Sequence, residues 1–222
     1  MNVLLIETSS VNCSVALSVN HQLISCIEKQ EQNIHASSIT IFIEQVLADA
    51  NLTLQDLDAV AVGKGPGSYT GLRIGVSTAK ALCYALNIPL IACNSLETLY
   101  EQAKINQPHH HLYIPLIDAR RMEVYTCSYS EAGNILEEIR AVIVDEHTFL
   151  DSLTKSKILF FGDGAAKIKQ MYALHKNAEF LEELYPSAKF MQTQALSYFE
   201  QQRFEDVAYF EPYYLKEFYF NT

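Results

Sequence analysis

The stretch DAVAVGKGPGSYTGLRIG, Asp58 to Gly75, decides how this chain folds. Asp58 to Gly63 is an apolar run of strand length and reads as a buried strand. Gly63-Lys64-Gly65-Pro66-Gly67 must then turn, and Ser68 or Thr70 can cap a helix running from about Ser68 to Leu86. A glycine-rich turn at a helix N-terminus suits an anion. This one lacks the Lys-Ser/Thr ending of a P-loop and the dinucleotide spacing, and Pro66 removes a donor, so close packing of the helix is the better reading. Along the helix Gly71, Gly75, Ala79, Leu82 and Leu86 share one face, flanked by Leu72, Val76 and Cys83, while Arg73, Ser77, Lys80 and Tyr84 form a polar strip. Small residues four apart admit another backbone, either from inside the protein or from a partner.

Upstream, Val3 to Ile6, Cys13 to Val19 and residues 22 to 28 read as three strands in meander order. Residues 34 to 50 have helical period: Ile39, Phe42, Ile43, Val46, Leu47 and Ala50 fall on one arc, and Ile34, Ile41 and Ala48 lie nearly opposite. One stripe covers a sheet; the second predicts another protein surface. Downstream, Pro89 to Cys93 is a strand, Ser95 to Lys104 a helix and Asn106 to His111 a linker. Residues 112–117, 121–130 and 135–144 again form three strands, followed by a helix near 146–153, a strand at Ile158 to Phe161 and the turn Gly162-Asp163-Gly164. The order βββαβα therefore occurs twice, without a residue-level repeat. A last helix at 192–204 precedes an aromatic, acidic tail. The predicted division is 1–104 plus about 192–208 as one half, 105–191 as the other, and 209–222 as the tail.

Composition narrows the function. The 222 residues carry 26 acids against 16 bases, a formal charge of −10, with no Lys/Arg stripe of the kind a phosphate backbone requires. The longest strictly apolar run, Ala81 to Leu86, is far short of the roughly 18 residues of a membrane span, and Lys29 is the first basic residue, so a cytoplasmic protein is expected. Five cysteines at irregular spacings form no CxxC pair and read as buried thiols rather than zinc ligands.

Candidate chemistry is sparse. His109, His110 and His111 are adjacent, a spacing that rarely converges on one metal. His35 reads as a capping or packing residue. Glu7, Asp118 and Asp163 each end a predicted strand, where α/β folds place functional groups and where turns also need acids. No serine, cysteine or lysine nucleophile pairs with a base by spacing alone.

Four segments together carry a resemblance: Ile6-Glu7-Thr8-Ser9 with Cys13-Ser14-Val15-Ala16; the Gly63 to Gly75 block; Ile117-Asp118-Ala119-Arg120-Arg121-Met122-Glu123-Val124-Tyr125; and Glu211-Pro212-Tyr213-Tyr214-Leu215. They closely resemble the TsaB (YeaZ) family of bacterial tRNA threonylcarbamoyladenosine (t6A) synthesis, over nearly the whole chain. The resemblance implies an α/β fold of the actin, sugar kinase and Hsp70 type (ASKHA), with two ribonuclease-H-like βββαβα halves and mixed sheets. It also implies a catalytic paralogue, TsaD, whose metal is held by a His-x-x-x-His helix. In this chain the matching stretch is Asn94-Ser95-Leu96-Glu97-Thr98-Leu99, so Ser95 and Leu99 stand where the imidazoles would be. Neither is a strong metal donor.

The family likeness further implies a non-catalytic scaffold or activator. It would be a homodimer when alone, would dimerise with TsaD through helices 34–50 and 69–86, would be joined by a TsaE-type ATPase, and would meet tRNA only through the complex. Ile34, Ile39, Ile41, Phe42, Val46, Gly71, Leu72, Gly75, Val76, Ala79 and Leu82 are the expected interface. Glu7, Thr8, Ser9, Lys64, Arg73, Asp118, Gly162 and Gly164 are the candidates for contact with an interfacial nucleotide or ligand. In this fold glycine pairs close a hairpin on phosphate, whereas Asp118-Ala119-Arg120-Arg121 brings side chains there. No cofactor or metal is expected, and any ATP or ADP binding is weak and confined to a partner interface. The alternative is an independent hydrolase of the glycoprotease (M22) kind, which the missing histidine pair disfavours.

Overall fold

A computed structural model describes residues 1–216. The chain divides into two units. The first comprises Met1–Thr98 with Pro186–Tyr213, and the second Leu99–Tyr185 with the described residues from Tyr214 onward. The boundaries thus fall at Thr98/Leu99, inside a helix, and at Tyr185/Pro186, not at 104/105 and 191/192. The return comes earlier because Ala188 and Met191 already belong to the core of the first unit.

In the first unit β1 (Asn2–Glu7), β2 (Asn12–Val19), β3 (Gln22–Gln30), β4 (Ala59–Gly63) and β5 (Leu90–Cys93) form one sheet in the order β3-β2-β1-β4-β5. The meander pairs are antiparallel, with Leu4 opposite Leu17; β1–β4 and β4–β5 are parallel, with Leu4 opposite Val60. Successive side chains point to opposite faces, and both faces are covered. Leu4, Ile6, Val15, Leu17, Val60 and Val62 pack beneath α1 (His35–Asp49) and α2 (Tyr69–Leu86). Val3, Leu5, Ala16, Ala61 and Ile91 pack against Ala188, Met191 and Ala195, from a 3-10 turn and α6 (Gln192–Glu200). Burial on both sides is why β1, β4 and β5 read as continuous apolar runs, while β3 at the sheet edge is largely exposed.

The segment after α6 is a strap, where a tail was expected. Glu205 N donates to Leu90 O (2.8 Å) at the edge of β5, Val207 and Phe210 pack against the core, and Tyr213 N donates to Lys64 O (2.8 Å). Lys80 Nζ on α2 donates to the carbonyls of Ala208 (3.2 Å) and Phe210 (2.9 Å). Of the predicted tail, residues 217–222 lie outside the described residues.

α3 (Ser95–Asn106) runs from the first unit into the second, which repeats the plan. There β6 (Leu112–Asp118), β7 (Glu123–Ser130), β8 (Ile135–Ile143), β9 (Ile158–Phe161) and β10 (Ala178–Leu181) form a sheet ordered β10-β9-β6-β7-β8. Numbered within the unit, that is the same order as in the first sheet. α4 (Leu150–Lys155) and α5 (Ala165–Tyr172) help bury Ile114, Leu116, Phe149 and Phe160. α5 and β10 follow Gly164 and are additional to the elements that the sequence predicts. Of the three histidines, His110 is buried and its Nε2 meets Glu179 Oε2 at 2.7 Å, while His109 takes φ +77° and is exposed. Adjacent side chains diverge here, as the spacing implied.

Candidate helix face and strand-end residues

The Gly63–Gly75 block is a packing device. Ser68 caps α2, its Oγ accepting from Gly71 N (3.3 Å), and Asn87 closes the helix in the left-handed conformation. The strand end Glu7-Thr8-Ser9 lies directly against this block. Thr8 Oγ1 donates to Gly71 O (2.8 Å), and Ser68 N donates to Ser9 O (2.6 Å). A Cβ on Gly71 would fall inside 3.0 Å of the Thr8 carbonyl oxygen, and one on Gly75 inside 3.0 Å of Thr8 Oγ1. What the small residues admit is therefore Thr8, directly after β1 of the same chain.

That settles which stripe faces outward and corrects the expected interface. Gly71, Leu72, Gly75, Val76 and Ala79 are buried against the sheet, as are Ile39 and Val46 on α1, and Leu82 and Phe42 are half-buried over the same core. Ile34, placed on the outer stripe, is also buried, at the N-cap position of α1. Among the residues that α1 and α2 leave exposed are Ile41 (60%), Glu44 and Ala48 on α1, and Arg73, Ser77, Ala81 and Tyr84 (84%) on α2. The two helices lie side by side on one face of the sheet. Tyr84 was visible in the sequence only as part of a polar strip, since tyrosine suits either environment.

The candidate ligand contacts are placed just as definitely. Glu7, Thr8 and Ser9 are buried. Glu7 Oε1 accepts from Ser9 N (2.8 Å) and Oε2 from Ser95 Oγ (2.9 Å), and the carboxyl fills the space that a side chain at Gly63 would need. Burial pushes the Glu7 pKa above its usual value, and the bonds from Ser9 and Ser95 only partly offset it. This is an internal joint that ties β1, β4 and the start of α3 together. Lys64 takes part through its backbone, and the Arg73 guanidinium is engaged with Tyr69, donating to its hydroxyl (3.2 Å) and lying 5.5 Å from its ring centroid.

In the second unit Gly162 and Gly164 are also packing glycines. Gly162 has φ +103°, and a Cβ on either would press on the Leu116 backbone, to which Gly164 N donates (2.9 Å). They face β6, not an open phosphate cradle. Asp118 Oδ1 accepts from Arg120 N (2.5 Å) and from Lys167 Nζ (2.8 Å), while Asp163 Oδ1 accepts from Asp118 N (2.9 Å). Burial, reinforced by the Asp118 carboxylate, raises the Asp163 pKa to about 6. Arg120 and Arg121 hold positive φ in the β6–β7 turn. Glu7, Thr8, Ser9, Gly162 and Gly164 thus belong to the interior, which leaves Lys64, Arg73 and Asp118 at least partly open.

On α3, Ser95 and Leu99 are both fully buried, and Ser95 is bonded to Glu7. Among the described residues no three His, Cys, Asp or Glu side chains are grouped to hold a metal ion, and no helix is long and apolar enough to cross a membrane.

Comparison with known proteins agrees with this architecture. Residues 27–217 match the family model described as TsaD, tRNA N6-adenosine threonylcarbamoyltransferase. The tRNA threonylcarbamoyladenosine biosynthesis protein TsaB of Bacillus subtilis is 36% identical over 177 residues, covering 77% of this chain and 75% of that protein. Its counterpart in Buchnera aphidicola from Schizaphis graminum is 31% identical over 191 residues, 84% of this chain and 89% of that one. The structure of YeaZ from Pseudomonas aeruginosa superposes with a TM-score of 0.82 at 24% identity, over 96% of this chain and 99% of that chain. More distantly, the activator of 2-hydroxyisocaproyl-CoA dehydratase from Clostridium difficile, solved with ADPNP, gives a TM-score of 0.52 at 11% identity over 91% of this chain and 96% of that one, a likeness of fold of the actin and sugar kinase type. Sequence and architecture together place the chain in the TsaB family, related to TsaD through the family model it matches.

Proposed function

We propose that this chain is a non-catalytic cytoplasmic subunit in the synthesis of threonylcarbamoyladenosine on tRNA, acting by docking on and ordering a TsaD-type transferase. The observation that carries the reading is the state of α3: Ser95 and Leu99, the positions matched to the family's metal-binding histidines, are a hydroxyl bonded to Glu7 and a buried isobutyl group. Neither can anchor the cation that activates the reaction. What the chain offers a partner is the outer face of α1 and α2, with Ile41 and Tyr84 as its large exposed apolar and aromatic side chains. Anchors of this kind dominate helix-face interfaces.

In this proposal the same face closes a homodimer when the chain is alone and is taken over by TsaD in the complex. A TsaE-type ATPase joins the assembly, and no cofactor is resident in this chain. Any ATP or ADP is held weakly and only where a partner completes the site, through Lys64, Arg73 or Asp118. The test is light scattering after size exclusion, on the chain alone and with TsaD from the same organism, with threonylcarbamoylation of tRNA measured in parallel. A stable complex and a reaction that needs both proteins are expected, and Ile41→Asp with Tyr84→Ala should weaken the complex at least tenfold while leaving the melting temperature unchanged. Full activity of TsaD without this chain would refute the proposal.

A further inference from the structure

The chain is acidic overall, yet residues 152–178 carry five lysines against a single acid, Asp163. The fold concentrates part of this excess. β9 and β10 run parallel, with Ala178 opposite Ile158, so the residues leading into them meet at one end of the sheet. Ile158 N donates to Asn177 O (2.8 Å) and Asn177 Nδ2 to Leu153 O (2.8 Å), which holds the end of α4 against the loop before β10. Lys155, Lys157 and Lys176, all exposed, are gathered by these bonds. β6 begins beside them, with Leu112 N donating to Lys157 O (3.3 Å), so exposed His111 joins the same edge. The acids in reach are Asp151, one turn before Lys155 on α4, and Glu179, already shared by Lys157 and the buried His110. Lys155 and Lys176 have no carboxylate partner among the described residues.

We propose that this edge of the second unit, built around Lys155, Lys157 and Lys176, is a contact for the phosphate backbone of RNA. The inference rests on the proposed role in tRNA modification, which supplies the polyanion. Flexible ammonium groups on separate elements suit successive phosphates and read no sequence. Only a few phosphates are touched, so the contribution is modest and strongly salt-dependent, and it adds to whatever the transferase holds.

The test is fluorescence anisotropy of an unmodified tRNA transcript with the full chain, alone and with TsaD, across a salt series. Lys155→Glu with Lys176→Glu is expected to weaken binding at least tenfold at low salt and to reduce the slope of log K against log salt by roughly 0.7–0.9 for each phosphate no longer neutralised. Both positions are exposed, so the melting temperature should not move. Lys29→Glu, on β3 of the first unit, should change neither. An unchanged affinity and slope in the double variant would overturn the proposal, as would a chain that binds inorganic polyphosphate but no tRNA. Complex formation with TsaD, followed by light scattering, separates the two readings: lysine-dependent binding of tRNA by the chain alone would keep this contact even if the subunit role fails.

Discussion

Replacing Gly71 by alanine sets two known effects against each other on one residue. Alanine favours the helix by about 1 kcal/mol over glycine. Its Cβ, however, would fall inside 3.0 Å of the Thr8 carbonyl oxygen, with the carbonyl carbon at 3.3 Å. A backbone oxygen cannot rotate away, so α2 must lift from β1, straining the 2.8 Å bond from Thr8 Oγ1 to Gly71 O. Overpacking of this kind costs about 1–3 kcal/mol and a broken hydrogen bond about 1 kcal/mol, so the net is about 2 kcal/mol of destabilisation. For a chain of this length that is about 4–8 °C in melting temperature. At Gly75 the obstacle is different: a Cβ there meets Thr8 Oγ1 inside 3.0 Å, Thr8 Cβ at 3.3 Å and Cγ2 at 3.4 Å. Thr8→Ala removes two of those three atoms. The double variant T8A/G75A should therefore show a favourable coupling of about 1–3 kcal/mol, whereas T8A/G71A should recover only the hydrogen bond that Thr8 Oγ1 and Gly71 O share, about 1 kcal/mol or less, because the clash with the Thr8 carbonyl persists. Calorimetric melting of the six proteins, parent included, reads both. Gly71→Ala melting at or above the parent, or equal couplings in the two pairs, would refute the claim that α2 is seated on Thr8 by its glycines.

Other consequences can be checked together. Asp163, with its pKa raised to about 6 from an ordinary 3.8, contributes stability that is present below 3.8 and lost as pH rises through 6. Asp163→Asn should flatten the stability profile across that window in urea titrations, and an unchanged profile would show that the group does not titrate there. His35 behaves in the opposite sense: burial lowers its pKa from 6.5, so the unfolded chain takes the proton first and stability is lost as pH falls below about 6.5. His35→Gln should remove that acid-side loss, provided the glutamine folds into the site. Lys80→Ala withdraws the ammonium from the carbonyls of Ala208 and Phe210. Hydrogen exchange at the amides of Phe210 and Tyr213 should then speed up at least tenfold without change at β1, and equal protection would mean the strap is held by Val207 and Phe210 alone.

The doubled βββαβα order was legible because strand length, meander spacing and helical period are local properties. The Gly63–Gly75 block announced a close approach for the same reason, since only glycine tolerates it. Which surface approaches is a matter of tertiary placement. Gly75 reads identically against Thr8 of its own chain and against a partner's helix, and only the position of β1 decides. Ile34 sits at the N-cap of α1, where burial is set by what the chain before the helix packs against and not by the helical stripe alone. Glu7, Gly162 and Gly164 sat where α/β folds place ligands, but their partners Ser95 and Leu116 are distant in sequence, and that distance hid their packing roles. The lysines near Lys155 and Lys176 were masked by averaging charge over half the chain.

The discontinuity of the first unit bears on how the chain is made. The sheet face formed by Val3, Leu5, Ala16, Ala61 and Ile91 is closed by Ala188, Met191 and Ala195, which are translated about ninety residues after the last strand of that sheet. Synthesis at roughly 5–20 residues per second leaves a nascent chain several seconds in which five paired strands present an uncovered apolar side. The second unit, encoded almost without interruption between, can close its own core during that delay. A nascent chain that has emerged from the ribosome as far as residue 185 would therefore carry one finished unit and one sticky half-layer, the state in which a holdase chaperone would have most to grip.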